Sequence, residues 1–327
     1  MGKAWLRRTV TITVLGLIDL LVTVLLPVWA VAFLLYDLVR GKWRLPTLRL
    51  MTFGLLWAWI ETAGVFLMFL LWLTGQARNH GAHYRTQRWW CGRIIAALRV
   101  TVGLRVTIIG AEHVGKGPYV VFCRHASLAD SIISCFIVNN TLGLQPRYVL
   151  KSDLEMVPCL DLLGHRTPNC FVRRGSSDVA AELAALQGMM EGLGEGQAAV
   201  IFPEGSRANP DKRERELGRL SERHPERHVR LAGLQRLIPP KPAGAKAMLD
   251  AAPQADVVTI WHEGLDGLDT FPGMLAALAE RRVGAHVVVT VHPRHEVDAA
   301  PDFTEWIDTR WVEMDEAVAR FTQVAGI

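Results

Sequence analysis

Two long apolar stretches near the start of the chain set the strongest constraint on its fold. The first covers residues 9–39 and the second residues 50–74. A helix needs about 20 predominantly apolar residues to cross the hydrocarbon core of a bilayer, so each stretch is long enough. Few charged residues or prolines interrupt them, namely Asp19, Pro27, Asp37 and Glu61. We therefore expect residues 1–75 to form a membrane-embedded helical segment.

Basic residues around these stretches bear on how they meet the membrane. They precede, separate and follow the two stretches: Lys3, Arg7, Arg8, Arg40, Lys42, Arg44, Arg49, Arg78, Arg85, Arg88 and Arg93. If both stretches crossed the bilayer, one basic group would lie on the side that such residues avoid. If the stretches entered and left by the same leaflet, all three groups would stay on one side, with Pro27 breaking the first stretch. The sequence leaves both topologies open. A cleaved signal peptide is disfavoured because a second apolar stretch follows the first.

Charge and cysteine usage exclude several classes of protein. The formal net charge is only +4, so nucleic acid is not an expected partner, whereas basic residues beside apolar segments suit an anionic membrane surface. The five cysteines form no C-x-x-C pair and are odd in number, so we expect neither a disulfide framework nor a zinc site. Free thiols are typical of a reducing compartment, which places the non-membrane part on the cytoplasmic side of the membrane.

From about residue 105 the pattern changes to short β-branched runs that alternate with helical stretches. The candidate strands are Arg105–Ile109, Tyr119–Phe122, Arg147–Leu150, Cys170–Val172, Ala198–Phe202, Val257–Ile260 and His286–Val291. The candidate helices are Leu128–Val138, Asp178–Leu193, Glu214–Glu222, Ala243–Ala251, Phe271–Glu280 and Thr304–Val324. This alternation is typical of an α/β fold with a mostly parallel sheet flanked by helices. We expect residues 105–327 to form this domain and residues 76–104 to connect it to the membrane segment.

Four short polar stretches follow candidate strands or lie in loops, and loops at the carboxyl ends of parallel strands converge on one crevice. They are HASLAD at 125–130, FVRRG at 171–175, FPEGSR at 202–207 and PPKPAG at 239–244. Neutral His125 can accept a proton from a hydroxyl near neutral pH, and Asp130 on its other nitrogen would fix the tautomer. The arginines of the next two stretches favour a phosphate-bearing acceptor.

These stretches, in this order, resemble the motifs of the glycerolipid acyltransferase family, which contains the 1-acylglycerol-3-phosphate acyltransferases. The matching positions are His125 and Asp130 in its H-x4-D motif, Phe171 and Arg174 in its second motif, Phe202 to Arg207 in its FPEG motif, and Pro239 or Pro240, loosely, in its fourth motif. Arg124 departs from the family pattern, since asparagine usually precedes the histidine.

The resemblance implies that His125 acts as general base on the free hydroxyl of a lysolipid and that Asp130 orients it. The hydroxyl would attack the thioester of acyl-CoA or acyl carrier protein, with no metal and no cofactor besides that donor substrate. The candidate substrate-binding residues are Arg174, Glu204, Gly205 and Arg207, together with Lys151 and Pro240 in neighbouring stretches.

We therefore expect a membrane-bound enzyme that converts lysophosphatidic acid (1-acylglycerol 3-phosphate) into phosphatidic acid, with its catalytic domain facing the cytoplasm. Two alternatives remain open. One is an acyltransferase of the same fold that acts on another lysophospholipid or on a glycolipid. The other is a non-catalytic membrane protein that binds lipid.

Overall fold

Helices dominate the first third of the chain. The computed structural model describes residues 2–172, 178–281 and 283–324, and it begins with α1 (Gly2–Val24), α2 (Leu26–Val39), α3 (Pro46–Leu73) and α4 (His80–Thr101). Helices α1 and α2 are bent by 69° relative to each other. Pro27 lies in the first turn of α2, where the missing N–H costs nothing because those donors have no helical partner. The helix of the first apolar stretch is thus interrupted next to Pro27, as the sequence predicts.

Helix α3 packs against α4 and against the helix that contains Cys159. Near its start, the Arg49 Nε donates to the carbonyl of Thr101 at the end of α4 (2.8 Å). In its middle, the buried Glu61 carboxylate accepts hydrogen bonds from Trp90 Nε1 of α4 (2.8 Å) and from the backbone N–H of Cys159 (3.1 Å). Hydrogen bonds near the start and in the middle of α3 therefore hold this helix against the domain.

Two further acidic residues of the apolar stretches also have structural partners. The Asp37 Oδ2 accepts the backbone N–H groups of Thr47 (2.9 Å) and Leu48 (3.1 Å) and so satisfies two donors in the first turn of α3. Asp19 of α1 accepts the hydroxyl of Thr62 on α3. Both carboxylates are buried, and each joins two helices of the N-terminal segment.

The described residues contain one sheet of seven strands, in the order β1-β7-β6-β2-β5-β3-β4. The strands are β1 (Arg105–Ile109), β2 (Tyr119–Cys123), β3 (Gln145–Lys151), β4 (Cys170–Val172), β5 (Gln197–Ile201), β6 (Asp256–Glu263) and β7 (Gly284–His292). Neighbouring strands are parallel except β6 and β7. The mostly parallel sheet predicted from the sequence is confirmed, and β1 and β7 run opposite to the other five strands.

Helices cover both faces of this sheet. The helices that follow α4 are α5 (Asp130–Cys135), α6 (Pro158–Gly164), α7 (Val179–Met190), α8 (Pro210–Arg223), α9 (Pro225–Leu231), α10 (Pro242–Ala251), α11 (Phe271–Glu280), α12 (Arg294–Asp298) and α13 (Phe303–Val324). Alternate residues of a strand face opposite sides, so Val121 joins the core beneath α3, α4, α5, α6 and α11, whereas Val120 and Phe122 join the core beneath α7, α9, α10 and α13.

The structure adds helices that the sequence pattern does not indicate. Helix α4 occupies most of residues 76–104, and its Trp90, Ile94 and Ile95 are buried in the same core as the strands. Helices α6, α9 and α12 have seven residues or fewer. A hydrophobic period cannot be read in segments this short, because it needs a window of about 11 residues or more.

Gly64→Ala tests the packing of α3 against α6. A Cβ at position 64 would run into the Cys159 Sγ, whereas position 54 on the same helix has open space around it. We expect Gly64→Ala to lower the free energy of unfolding by about 1–3 kcal/mol through overpacking. The matched control Gly54→Ala should raise it by up to about 1 kcal/mol, because alanine is the better helix former. Thermal unfolding in detergent measures both changes, and equal shifts would show that α3 does not pack on α6.

Candidate active site

His125 and Asp130 come together at the carboxyl end of the central strand β2. His125 lies two residues beyond this strand, and Asp130 is the first residue of α5. The His125 Nδ1 is 3.0 Å from the Asp130 Oδ2, with side-chain exposures of 17% and 1%. The residues that the sequence pairs are therefore in contact. Since Asp130 engages Nδ1, the His125 Nε2 is the nitrogen available to a substrate proton.

Several donors hold the Asp130 carboxylate. Its Oδ2 accepts the backbone N–H groups of Ala126 (2.5 Å) and Ser127 (2.7 Å), and its Oδ1 accepts the Ser127 hydroxyl. On the far side, the Nε2 of the buried His262 lies 3.1 Å from Oδ1. Burial alone would raise the pKa of Asp130, but His262 and the hydrogen bond with His125 lower it well below its usual range. Asp130 is therefore held as a carboxylate.

The loop after β5, residues 202–208, fixes His125 from three directions. The Glu204 Oε1 accepts the backbone N–H of His125 (3.1 Å). The backbone N–H of Ala208 donates to the carbonyl of His125 (2.7 Å). The ring of Phe202 lies against the imidazole, with 4.8 Å between centroids. The FPEG stretch thus positions the histidine of the first stretch, because β5 is the neighbour of β2 in the sheet.

Arg124 ties the loop after β2 to the loop after β6. Its buried guanidinium donates through Nη1 to the carbonyl of His262 and through Nη2 to the Asp266 Oδ1 (2.6 Å). The residue that departs from the family pattern is therefore anchored beside His262. The sequence pattern does not single out His262. Its position near the carboxyl end of a strand is the one signal that could have pointed to it.

Two of the three cationic candidates lie around the same edge of the sheet. Arg207 is partly buried, and its Nη1 donates to the carbonyl of Asp269 (3.2 Å). Lys151 ends β3 and forms an ion pair with Asp153. Arg174 lies outside the described residues. The structure therefore brings Arg207 and Lys151 to the edge that carries His125.

Gly205 and Pro240 shape loops near the site. Gly205 has a φ of 66°, a conformation that glycine adopts without steric cost. Pro240 is buried, and its carbonyl accepts the Arg227 Nη2 (3.0 Å). Arg227 in turn forms a buried pair with Asp308 of α13, at 2.9 Å and 2.6 Å. Like Glu204, Pro240 is enclosed by protein, so both act on loop geometry and not as exposed binding groups.

An apolar cavity of ≈ 360 Å³ lies beside the His125–Asp130 pair. Leu128 and Ala129, between the two residues of the pair, form part of its wall. The opposite wall comes from the N-terminal helices, with Phe53 and Trp57 of α3 among its residues. The cavity therefore needs both the N-terminal segment and the α/β domain to be enclosed.

Comparison with known proteins identifies the domain that carries this site. A family model described as Acyltransferase matches residues 105–263. The chain carries an acyltransferase-family domain. This match confirms the resemblance drawn from the motifs, and the His125–Asp130 pair and the FPEG loop all lie within the matched residues.

The solved structures agree on the fold. The crystal structure of the 1-acyl-sn-glycerophosphate (LPA) acyltransferase PlsC from Thermotoga maritima matches with a TM-score of 0.54 and 13% identity, over 85% of this chain and 98% of that chain. At this identity the likeness concerns the fold. A search of curated proteins finds no match.

A second polar cluster of the chain serves structure. Atoms of Glu155, Asp161 and His165 that could ligate a metal lie within 4.8 Å of one another. However, the Arg7 Nη1 lies 2.8 Å from Glu155, and the Arg8 Nε lies 2.8 Å from Asp161. Burial would raise the pKa of Asp161, but hydrogen bonds with His165 and Arg8 lower it. Arginines of α1 thus neutralise the cluster and fasten α1 to α6.

Glu204→Gln tests the protonation state of the buried glutamate. Burial raises the pKa of Glu204 well above its ordinary value, so the folded state favours the neutral acid. Such a group contributes stability below its unfolded pKa and loses it as the pH rises through the raised folded pKa. We expect the stability of the wild-type protein to fall relative to Glu204→Gln as the pH rises above the ordinary pKa of a glutamate carboxyl.

The amide keeps an acceptor for the His125 N–H, whereas Glu204→Ala removes it and should cost about 1–3 kcal/mol at every pH. Thermal unfolding at a series of increasing pH values measures the difference. Parallel curves for the wild type and the glutamine variant would contradict a neutral Glu204.

Proposed function

We propose that this protein transfers an acyl chain from a thioester donor to the free hydroxyl of 1-acylglycerol 3-phosphate, giving phosphatidic acid. The observation that carries the proposal is the His125–Asp130 pair beside an apolar cavity, inside an acyltransferase-family domain. The similar fold of an LPA acyltransferase supports lysophosphatidic acid as the acceptor. The donor is acyl-CoA or acyl carrier protein.

The chemistry follows from the orientation of His125. Its Nε2 accepts the proton of the acceptor hydroxyl while the oxygen attacks the carbonyl carbon of the thioester. The tetrahedral intermediate then collapses, the C–S bond breaks, and the leaving thiolate takes the proton from the imidazolium. Asp130 accepts from Nδ1–H throughout, which keeps the tautomer correct and stabilises the imidazolium. Neither step leaves a covalent bond to the protein.

The apolar cavity supplies the site for the acyl chain that is transferred. Exposing such a chain to water costs about 0.8 kcal/mol per CH₂ group, so the chain must be buried while the thioester reaches His125. Leu128 and Ala129 border the cavity next to the pair, which lets the carbonyl carbon stay near Nε2 while the tail extends toward α3.

The phosphate of the acceptor requires cationic groups near His125. Arg207 and Lys151 lie at the same edge of the sheet, two cations from neighbouring loops. We include Arg174 in the proposed phosphate site on the strength of its motif. Arginine suits this task because its guanidinium binds phosphate oxygens through two parallel hydrogen bonds.

We further propose that residues 1–75 lie in one leaflet of the membrane, with the catalytic domain in the cytoplasm. Among the described residues, α3 alone is long and apolar enough to cross a membrane as a single helix, and α1 with α2 qualifies as a bent pair. Yet Arg8 of α1 pairs with Asp161 of the domain, and Arg49 of α3 bonds to Thr101 of α4. Contacts to the domain from the start of α1 and from the start of α3 favour a segment that enters and leaves by the same side.

The exposed surface of these helices supports the same arrangement. Large apolar side chains of these helices are exposed: Leu17, Leu20, Leu21, Val28, Trp59, Phe66, Phe69 and Trp72. α3 has 28 residues, about 42 Å at 1.5 Å per residue. A helix of this length that contacts the domain at Arg49 and Glu61 lies along the membrane surface with its other face in lipid.

His125→Ala should lower the turnover rate by a factor on the order of 10²–10⁴, since the general base is lost. Asp130→Asn should cost less, because the base remains without its orienting carboxylate. The assay uses purified protein, labelled acyl-CoA and a panel of lysolipids. His113→Ala is the control, since His113 is exposed on a short 3-10 segment away from the site. If His125→Ala kept more than about a tenth of wild-type activity, the general-base mechanism would be wrong.

Cysteine labelling in sealed vesicles tests the topology. The five native cysteines are buried, so the unmodified protein serves as the unreactive control. Lys42→Cys reports on the loop between the two apolar stretches, and Arg215→Cys on exposed α8 marks the catalytic domain. We expect both to react with an impermeant maleimide from the same side. Labelling from opposite sides would mean that the stretches cross the bilayer, while leaving the catalytic proposal intact.

A further inference from the structure

Five arginines line a second cavity, which is separate from the His125 site. They come from distant parts of the chain, and the cavity has a volume of ≈ 840 Å³. The arginines are Arg44, Arg49, Arg99, Arg105 and Arg281. No acidic residue lines this arginine pocket among the residues that the structure describes. Like charges held together in this way repel one another, so an anion bound there would be strongly favoured.

Two of these arginines form a fixed frame. The Arg49 guanidinium donates through Nε to the carbonyl of Thr101 (2.8 Å) and through Nη2 to the carbonyl of Val102 (2.5 Å). The Arg281 Nη1 donates to the carbonyl of Gly264 (3.0 Å). Gly103 makes room for this frame, because a Cβ there would lie 3.2 Å from the Arg49 Nη2.

The other three arginines, Arg44, Arg99 and Arg105, are exposed around the frame. The Arg99 guanidinium lies over the Phe136 ring, with 5.7 Å to its centroid, which leaves its N–H groups available to a ligand. Arginine recognises phosphate through bidentate hydrogen bonds that lysine cannot form. The pocket therefore has the chemistry of a phosphate site.

The surroundings of the pocket indicate where the phosphate comes from. Three apolar side chains around the pocket are unusually exposed. Trp43 at 81% and Val100 at 83% directly adjoin Arg44 and Arg99 in the chain, and Val39 at 87% ends α2, which leads into the loop that carries Arg44. Tryptophan beside arginine is typical of the boundary between lipid and water. Leu104 lines both the arginine pocket and the apolar cavity, so the pocket lies at the end of the cavity that faces the N-terminal helices.

We propose that the arginine pocket binds the phosphate of an anionic phospholipid of the leaflet in which the N-terminal helices lie. This inference rests on the proposed one-leaflet arrangement and is independent of the acyl-transfer chemistry. The lipid headgroup would neutralise the arginines while Val39, Trp43 and Val100 enter the lipid around it. One bound lipid would hold the α2–α3 loop, the end of α4 and the start of β1 together at the membrane surface.

Native mass spectrometry of the full-length protein tests this site. The protein is released from detergent micelles that contain equal amounts of phosphatidylglycerol and phosphatidylcholine. We expect the wild type to retain one phosphatidylglycerol. Each arginine near an anionic lipid contributes about fivefold to binding, so the triple variant R44A/R99A/R105A should lose about 100-fold in retention.

Two further variants separate recognition from general charge. R215A/R219A/R223A on α8 removes the same charge elsewhere and should retain the lipid as the wild type does. R44K/R99K/R105K keeps the charge but loses bidentate geometry, so we expect its retention to fall by about tenfold or more. Full retention by the lysine variant, or equal loss by the α8 variant, would overturn the phosphate pocket.

The donor thioester is the other source of phosphate, and kinetics distinguishes it. In phosphatidylcholine micelles the R44A/R99A/R105A variant should show an unchanged KM for acyl-CoA. A rise in that KM with unchanged phosphatidylglycerol retention would assign the pocket to the CoA phosphates and overturn the proposal. Lipid retention is measured without turnover, so it remains informative if the acyl-transfer proposal fails. Circular dichroism confirms that each variant is folded.

Discussion

The buried carboxylate of Asp130 is the interaction on which the site depends. A buried charge is costly unless it is paired and hydrogen-bonded, and here backbone N–H groups, the Ser127 hydroxyl and two histidines surround it. These partners come from the loop after β2 and from β6. Satisfying one charge therefore fixes the loop, the His125 tautomer and the position of His262 together, which is why the local geometry around His125 has so little freedom.

The neighbouring strands supply the rest of the support. The loop after β5 holds the backbone of His125 on both sides, and Arg124 ties the loop after β2 to the loop after β6. From the other face of the sheet, α13 acts at longer range. Its Asp315 accepts three consecutive backbone N–H groups at 2.7 Å, and its Asp308 holds Arg227 against the carbonyl of Pro240. The two buried carboxylates of α13 thus hold the segment between α9 and Pro240, which leads into the fourth motif, in a fixed conformation.

The N-terminal segment belongs to the same structural unit as the α/β domain. Glu61 bridges α3 to α4 and α6, and the side chains of α3 close the apolar cavity. Under the proposed function, a substrate tail in that cavity would touch α3 on one side and α5, which begins at Asp130, on the other. Under the same proposal, the helices that would attach the protein to the membrane would also enclose the acyl chain, so mutations in α3 should affect stability and chain binding together.

The sequence by itself determined the strands, the break at Pro27 and the His125–Asp130 pair, because each depends on residues close together in the chain. Strand periodicity and a spacing of five residues are local properties that a sequence displays directly. Only the tertiary structure decided that α4 belongs to the core, that His262 faces Asp130, that Glu204 is buried behind His125, and that Arg44, Arg99, Arg105 and Arg281 surround one pocket. These contacts join residues far apart in sequence. They arise because strand order brings distant loops to one edge of the sheet, and no local period records that order.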